Sequence, residues 1–147
     1  MQNKPVRYVL DTSALFALRG DERGADEVER ILKESEKGEC EVYVSFITLM
    51  ELCYRLWQDK GEQSAKEILA ETRALPIQEV GEENDLLIKA SRIKANFSLS
   101  VADSWIIATA WQKKARLVHK DPEFEQVKEI VELLPLTYKQ MGSGVRI

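Results

Sequence analysis

The chain has 147 residues, of which 44% are hydrophobic and 31% charged, and its formal net charge is −4. These values are typical of one soluble globular domain and exclude disordered and transmembrane classes, since no apolar run approaches the ~20 residues of a membrane helix. Two cysteines and one histidine, His119, argue against a disulfide framework or a zinc site. An early acid, Asp11, argues against a secretory signal, so we expect one cytoplasmic domain over residues 1–147.

Short apolar strands alternate with helical periods along the chain. Strands are predicted at residues 6–10, 41–45, 76–80, 116–119 and 130–135. Helices are predicted at residues 12–18, 22–37, 46–57, 63–75, 82–96 and 101–114. Several strands are almost entirely apolar, which is typical of a parallel sheet in an α/β fold. Ligands of such sheets bind beyond the carboxyl ends of the strands.

Four acidic residues are expected at that edge of the sheet. Asp11 follows the first strand, and Asp121 follows the strand at 116–119. Glu51 lies one turn into the helix after the second strand, and Asp103 lies in the first turn of the helix at 101–114. In a parallel sheet all four carboxylates can point into one opening.

Helix capping offers an alternative explanation for each of these acids. Asp11 and Asp121 could each cap the helix that follows. The capping-box pattern, in which Ser or Thr precedes an acid by three positions, occurs at 48–51 and 100–103. Glu51 could also pair with Arg55, one turn further along its helix.

Asp103 favours a metal site over a simple cap. Its helical neighbours include Leu99, Ile106 and Ile107, and a carboxylate on an apolar face costs desolvation free energy unless it has a partner. The groups expected nearby are other acids, whose charges would raise one another's pKa values unless a divalent cation compensated them. Oxygen ligands alone suit Mg²⁺ or Mn²⁺ better than Zn²⁺.

Four segments resemble, in order, the PIN domain family of metal-dependent nucleases, and especially its VapC-like toxin ribonucleases. They are Val9–Leu15, Met50–Leu52, Leu99–Ala110 and Leu117–Phe124. The resemblance implies a three-layer α/β/α fold around a parallel sheet of about five strands.

The resemblance also implies a metal site and its supporting residues. Its catalytic and metal-binding acids would be Asp11, Glu51, Asp103 and Asp121, holding Mg²⁺ or Mn²⁺. Thr12 or Ser13 would add a hydroxyl or backbone contact. The family often has threonine or serine where this chain has His119, whose role is therefore open.

As a function, the resemblance implies a metal-dependent endoribonuclease, the toxin of a toxin–antitoxin pair. Its partners would be an RNA substrate, an antitoxin that occludes the acidic opening, and a second copy of the chain. Three tryptophans are candidates for the core or the dimer interface: Trp57, Trp105 and Trp111. The alternatives are a catalytically silent PIN-like module that binds RNA or a protein, and a housekeeping RNA-processing nuclease.

Two phosphate-handling classes do not fit the sequence. A haloacid dehalogenase-type phosphatase needs a second aspartate two positions after the first, where this chain has Ser13. The GxxxxGK run of P-loop proteins does not occur.

Charge is unevenly distributed along the sequence. Residues 1–85 have a net charge of −8, whereas residues 86–120 contain seven basic residues against one acid. Such a segment could contact the RNA backbone, although a solvated face and helix C-terminal lysines explain it equally well. The seven residues are Lys89, Arg92, Lys94, Lys113, Lys114, Arg116 and Lys120.

Overall fold

A parallel sheet of five strands, in the order β3-β2-β1-β4-β5, forms the centre of the molecule. The computed structural model describes residues 4–136. Its strands are β1 (Val6–Leu10), β2 (Cys40–Ser45), β3 (Gln78–Val80), β4 (Arg116–His119) and β5 (Leu133–Pro135). Its α-helices are α1 (Thr12–Arg19), α2 (Ala25–Glu36), α3 (Phe46–Lys60), α4 (Glu62–Arg73), α5 (Asn84–Asn96) and α6 (Val101–Lys113).

Alternate residues of the strands point into two separate cores, as the two-residue period of a strand requires. Val9 and Leu117 pack on one face with buried residues of α5 and α6. Leu10 and Val118 pack on the other face with buried residues of α1 and α2. The expected three-layer α/β/α fold around a five-stranded parallel sheet is confirmed.

Helices α3 and α4 form a smaller third core of their own. Leu52 and Leu56 of α3 pack against Ala65 and Ile68 of α4. None of the helices described between residues 4 and 136 combines the length and apolar character needed to cross a membrane.

The sequence prediction misplaced several element boundaries. Helix α2 begins at Ala25 rather than residue 22, because Gly24 precedes it with a left-handed φ of 95°. A Cβ at Gly24 would lie 2.9 Å from the Cβ of Leu136, so glycine is needed there. A 3-10 helix at Pro122–Val127, absent from the prediction, buries Phe124.

Strands β3 and β5 are shorter than predicted, and each pairs through three residues. They are the two edge strands of the sheet, so each has a neighbour on only one side. Helix α5 begins at Asn84 rather than residue 82, with Glu83 as its N-cap.

Candidate metal centre

The register of the sheet brings three chain segments to the same edge. Strand β1 pairs in parallel with both β2 and β4, and Leu10 lies opposite Val118. The Asp11 amide continues the ladder by donating to the Val118 carbonyl at 3.0 Å. The residues that follow β1, β2 and β4 therefore surround one opening at the carboxyl ends of the strands.

Asp11 is both the N-cap of α1 and a buried carboxylate, with 5% of its surface exposed. Its Oδ2 accepts hydrogen bonds from the Ser13 amide at 3.1 Å and the Ser13 hydroxyl at 2.5 Å. Burial raises the pKa of Asp11 to about 6; the Ser13 hydrogen bonds oppose this rise, and the charge of Glu51 adds to it. The capping explanation is correct for this residue, but it leaves a carboxylate that ionises with difficulty.

Glu51 lies in the second turn of α3 and reaches the start of α1. Its Oε1 accepts a 2.7 Å hydrogen bond from the Thr12 hydroxyl. The capping box proposed for Glu51 is wrong, because the N-cap of α3 is Ser45, whose hydroxyl accepts from the Ile47 amide. The alternative partner Arg55 instead lies over the Phe16 ring, with Cζ 4.3 Å from its centroid.

Asp103 lies in the first turn of α6, and its carboxyl group is near the other acids. Ser100 caps α6 by accepting from the Asp103 amide at 3.0 Å, as the capping-box pattern predicts. Burial raises the pKa of the Asp103 carboxyl to about 7, and the charge of Asp11 is the next largest cause. Glu51 and Asp121 raise it further, while Ser100 opposes the rise. Capping thus explains the hydrogen bond of the Asp103 amide, whereas the Asp103 side chain belongs to an acidic cluster.

Asp121 caps the 3-10 helix and joins the same cluster. Its Oδ1 accepts from the Glu123 amide at 2.9 Å. One carboxylate oxygen each from Asp103, Asp121 and Glu123 lies within 4.8 Å of the other two, a spacing suited to one shared cation. Of Asp121 and Glu123, the sequence motifs indicated only Asp121, because the 3-10 turn that brings Glu123 close to Asp121 was not predicted.

His119 is buried beside Asp121 and holds the backbone of that residue in place. Its Nδ1 accepts from the Asp121 amide at 3.0 Å, and its ring lies 5.0 Å from that of Phe124, centroid to centroid. Burial lowers the pKa of His119, which favours the neutral ring that this acceptor role requires. These contacts hold the chain that presents Asp121.

The seven basic residues do not gather around the acids. Lys113 lies at the opposite end of the sheet, where its carbonyl accepts from the Arg7 guanidinium at the start of β1. Arg116 is also at that end and pairs with Glu132 at 2.8 Å.

The other basic residues are dispersed as well. The Lys120 backbone amide donates to the Ser13 hydroxyl near the acids, but its ammonium group pairs with Glu22 at 3.1 Å. Lys94 lines a groove between α5 and α6, whereas Lys89, Arg92 and Lys114 line grooves beside Trp111.

The five carboxylates have the donor chemistry of a hard-cation site. Within residues 4–136, no lysine or arginine forms an ion pair with any of them, and every candidate ligand atom is oxygen. Adjacent buried carboxylates repel one another, and a divalent cation would relieve that repulsion. The residues therefore fit Mg²⁺ or Mn²⁺. The carboxylates are Asp11, Glu51, Asp103, Asp121 and Glu123.

Comparison with known proteins places the chain in a family. The PIN domain family model matches residues 8–130, so this protein belongs to the PIN domain family, as its sequence motifs suggested. PIN and VapC family members are nucleases. No significant match was found among curated proteins.

Solved structures share the fold at low sequence identity. The DNA-bound VapBC of Salmonella typhimurium is 18% identical with a TM-score of 0.72, covering 88% of this chain and 98% of its own. VapBC2 of Rickettsia felis, bound to a promoter DNA fragment, is 16% identical with a TM-score of 0.71, covering 89% and 99%. VapC20 of Mycobacterium tuberculosis, a sarcin-ricin loop cleaving toxin, is 20% identical with a TM-score of 0.66, covering 87% and 99%.

Proposed function

We propose that this protein is a Mg²⁺- or Mn²⁺-dependent endoribonuclease that hydrolyses RNA phosphodiester bonds at the acidic opening. The observation that supports this most strongly is the spacing of the carboxylates, since one oxygen each from Asp103, Asp121 and Glu123 lies within 4.8 Å of the other two. Burial and the charges of Asp11, Glu51 and Asp121 raise the pKa of Asp103 in the same opening. A protein that needed these residues only as helix caps would not require their carboxylates to face one another. Perturbed acids grouped in one opening are characteristic of catalytic sites.

The side chains divide into those that would hold the cation and those that orient them. Asp11, Glu51, Asp103 and Asp121 would supply ligand oxygens, and Glu123 would add one at the exposed rim. A divalent cation held by these residues would make water a better nucleophile and would neutralise phosphate charge. Thr12 orients Glu51 through its hydroxyl, and Ser13 orients Asp11 through two hydrogen bonds. Such supporting contacts commonly matter nearly as much as the ligands.

Total RNA and a divalent cation provide the direct test. We expect cleavage with millimolar Mg²⁺ or Mn²⁺ and none with EDTA, and we expect either cation to raise the melting temperature of the protein. A chain that is stabilised by Mg²⁺ and binds RNA but never cleaves it would be the catalytically silent module instead.

We propose further that the nuclease is the toxin of a toxin–antitoxin pair. Solved structures with this fold include a toxin–antitoxin complex from Klebsiella pneumoniae and VapBC-5 of the toxin–antitoxin family from Mycobacterium tuberculosis. An antitoxin arginine or lysine near Asp103 could form an ion pair with several carboxylates in place of the cation. Co-purification of a small partner from the native host would support this. Recovery of the chain alone, with growth unaffected by its expression, would favour the housekeeping nuclease.

A homodimer is part of the same proposal. On α3, three large apolar side chains lie at helical spacing on the exposed surface: Met50 is 59% exposed, Tyr54 42% and Trp57 45%. Trp105 and Trp111 are half-buried and pack against the core instead. An exposed apolar stripe of this kind favours a protein contact. Light scattering that shows a strict monomer at high micromolar concentration would contradict the dimer.

The cytoplasm is the compartment that fits an RNA substrate and reduced thiols. Cys40 and Cys53 are both free in the structure, and Cys40 is buried. Fractionation of the native host would test this assignment.

A further inference from the structure

A second candidate site lies away from the acidic opening, along the contact between α5 and α6. Trp111 lines two adjoining grooves there, of about 420 and 480 Å³. Both volumes are within the range of small-ligand sites. Arg92, Asn96 and Phe97 border the first groove, and Lys89 and Lys114 border the second. We refer to the two together as the Trp111 groove.

Two cations lie over the partly exposed indole ring of Trp111. Lys89 Nζ lies 5.5 Å and Arg92 Cζ 5.9 Å from the ring centroid. These distances are close to the ~6 Å limit of cation–π contact, so neither group is held firmly against the ring. The ring itself is half-buried against the core, which fixes its orientation.

The positive charge of the Trp111 groove is not used in ion pairs. Across the part of the chain that the structure describes, Lys89, Arg92 and Lys114 form no salt bridge, whereas Arg116 and Lys120 each pair with a glutamate. Two cations over the aromatic ring and a third, Lys114, in the adjoining groove outnumber the one acid that lines it, Glu132. This combination matches a ligand that has both flat rings and negative charge.

We propose that the Trp111 groove binds single-stranded RNA, with a base stacked on Trp111 and phosphates held by Lys89, Arg92 and Lys114. An aromatic platform in a positively charged groove is how proteins bind single strands without reading their sequence. This inference rests on the proposed function, because it names a second contact for the same class of substrate. Trp111 is eight residues from Asp103, roughly 12 Å along the axis of α6 at 1.5 Å per residue. One strand could therefore contact both sites.

The test is fluorescence anisotropy with a labelled single-stranded RNA of twelve nucleotides, in EDTA so that no cleavage occurs. Trp111→Leu retains an apolar side chain but removes the aromatic face, and we expect affinity to fall at least about fivefold. Trp111→Phe retains a ring and should recover most of that affinity. Equal weakening by both substitutions, or equal affinity of the wild type for duplex RNA, would overturn the stacking claim.

Charge is tested separately from stacking. Lys89→Gln combined with Arg92→Gln should make the negative slope of log K against log salt shallower by about 1.4, at 0.7 for each single-strand phosphate contact. The matched control is Lys33→Gln combined with Lys37→Gln, which removes two exposed charges from the region of α2. Equal losses in the two double variants would show non-specific attraction only and overturn the proposal.

Two further outcomes separate this proposal from others. If the Trp111 and Lys89 variants convert a dimer to a monomer while RNA affinity stays unchanged, the groove is a protein interface and the proposal is wrong. Binding in EDTA does not need the carboxylates. RNA binding without cleavage in Mg²⁺ would therefore refute the ribonuclease proposal and leave the groove proposal standing. If every groove variant cleaves RNA and binds it with wild-type affinity, the groove proposal is wrong and the ribonuclease proposal stands.

Discussion

The Thr12 hydroxyl donates a 2.7 Å hydrogen bond to Glu51 Oε1, joining the first turn of α1 to the second turn of α3. The two residues are 39 positions apart in the sequence. Thr12 is buried, and Glu51 is half-buried. The bond fixes one carboxylate oxygen of Glu51 at the opening and leaves the other oxygen available to a cation.

Thr12→Val should weaken cation binding more than it weakens the fold. Valine has the same shape but cannot donate, so Glu51 loses its orienting contact. We expect about tenfold weaker Mg²⁺ affinity, the usual effect of removing a supporting group, and a stability loss of about 1 kcal/mol. Isothermal titration with Mg²⁺ and urea denaturation measure the two effects.

Thr72→Val is the matched control for that substitution. Thr72 is equally buried, and its hydroxyl donates to the Ile68 carbonyl at 2.8 Å within α4. It should lose comparable stability and no Mg²⁺ affinity. The orienting role of Thr12 would be refuted by equal Mg²⁺ affinities in Thr12→Val and the wild type.

The metal-free protein should become less stable as the pH rises from about 4 to 7. The pKa of Asp103 is raised from 3.8 to about 7 and that of Asp11 from 3.8 to about 6, so the native state binds more protons than the unfolded state between about pH 4 and 7. The free energy of unfolding therefore falls across this window. Bound Mg²⁺ should reduce the decline, because it favours the ionised carboxylates.

Urea denaturation in EDTA at pH 5, 6, 7 and 8 measures that slope. Asp103→Asn should make the slope shallower, since the amide does not titrate, while Asp11 retains its own contribution. Asp59→Asn, an exposed change near the end of α3, should leave it as in the wild type. Identical slopes for Asp103→Asn and the wild type would show that Asp103 does not titrate in this window.

Glu123→Gln should raise the Mg²⁺ concentration needed for half-maximal RNA cleavage severalfold, with a nearly normal rate at saturation. Glu123 is exposed at the rim, and its carboxylate lies within 4.8 Å of the Asp103 and Asp121 ligand atoms. Glu129→Gln, an exposed change six residues further on, is the control and should not change the Mg²⁺ requirement. A Glu123→Gln enzyme with an unchanged requirement would place Glu123 outside the cation site.

Strand positions were the most predictable part of the fold. Apolar runs such as Val6–Leu10 and Arg116–His119 match the observed strands at both ends. Parallel order then places Asp11 and Asp121 at one edge of the sheet, which was predicted correctly. Edge strands and helix starts were less predictable, because they depend on contacts such as that between Gly24 and Leu136, which are distant in sequence.

The supporting contacts of the site could not be read from the sequence. Nothing local to Thr12 indicates that its hydroxyl meets Glu51. The α3 cap was readable, in contrast, because the predicted strand end at residue 45 makes Ser45 the N-cap rather than Thr48.

The basic residues were left open between an RNA contact and a solvated face, because charge along the sequence does not show where a side chain points. In the fold, the Lys113 ammonium lies over the Tyr43 ring, 5.0 Å from its centroid, and the Lys120 ammonium pairs with Glu22.

Asp103→Asn tests the central claim most directly, by RNA cleavage and thermal melting of the same preparation. The acidic-site account predicts that cleavage collapses, that the melting temperature in EDTA stays unchanged or rises as repulsion is relieved, and that the stabilisation given by millimolar Mg²⁺ shrinks. The capping account predicts a loss of roughly 0.5–1 kcal/mol of stability and nothing else. A variant that melts lower in EDTA yet cuts RNA at the wild-type rate would contradict the assignment of Asp103 to a catalytic metal site.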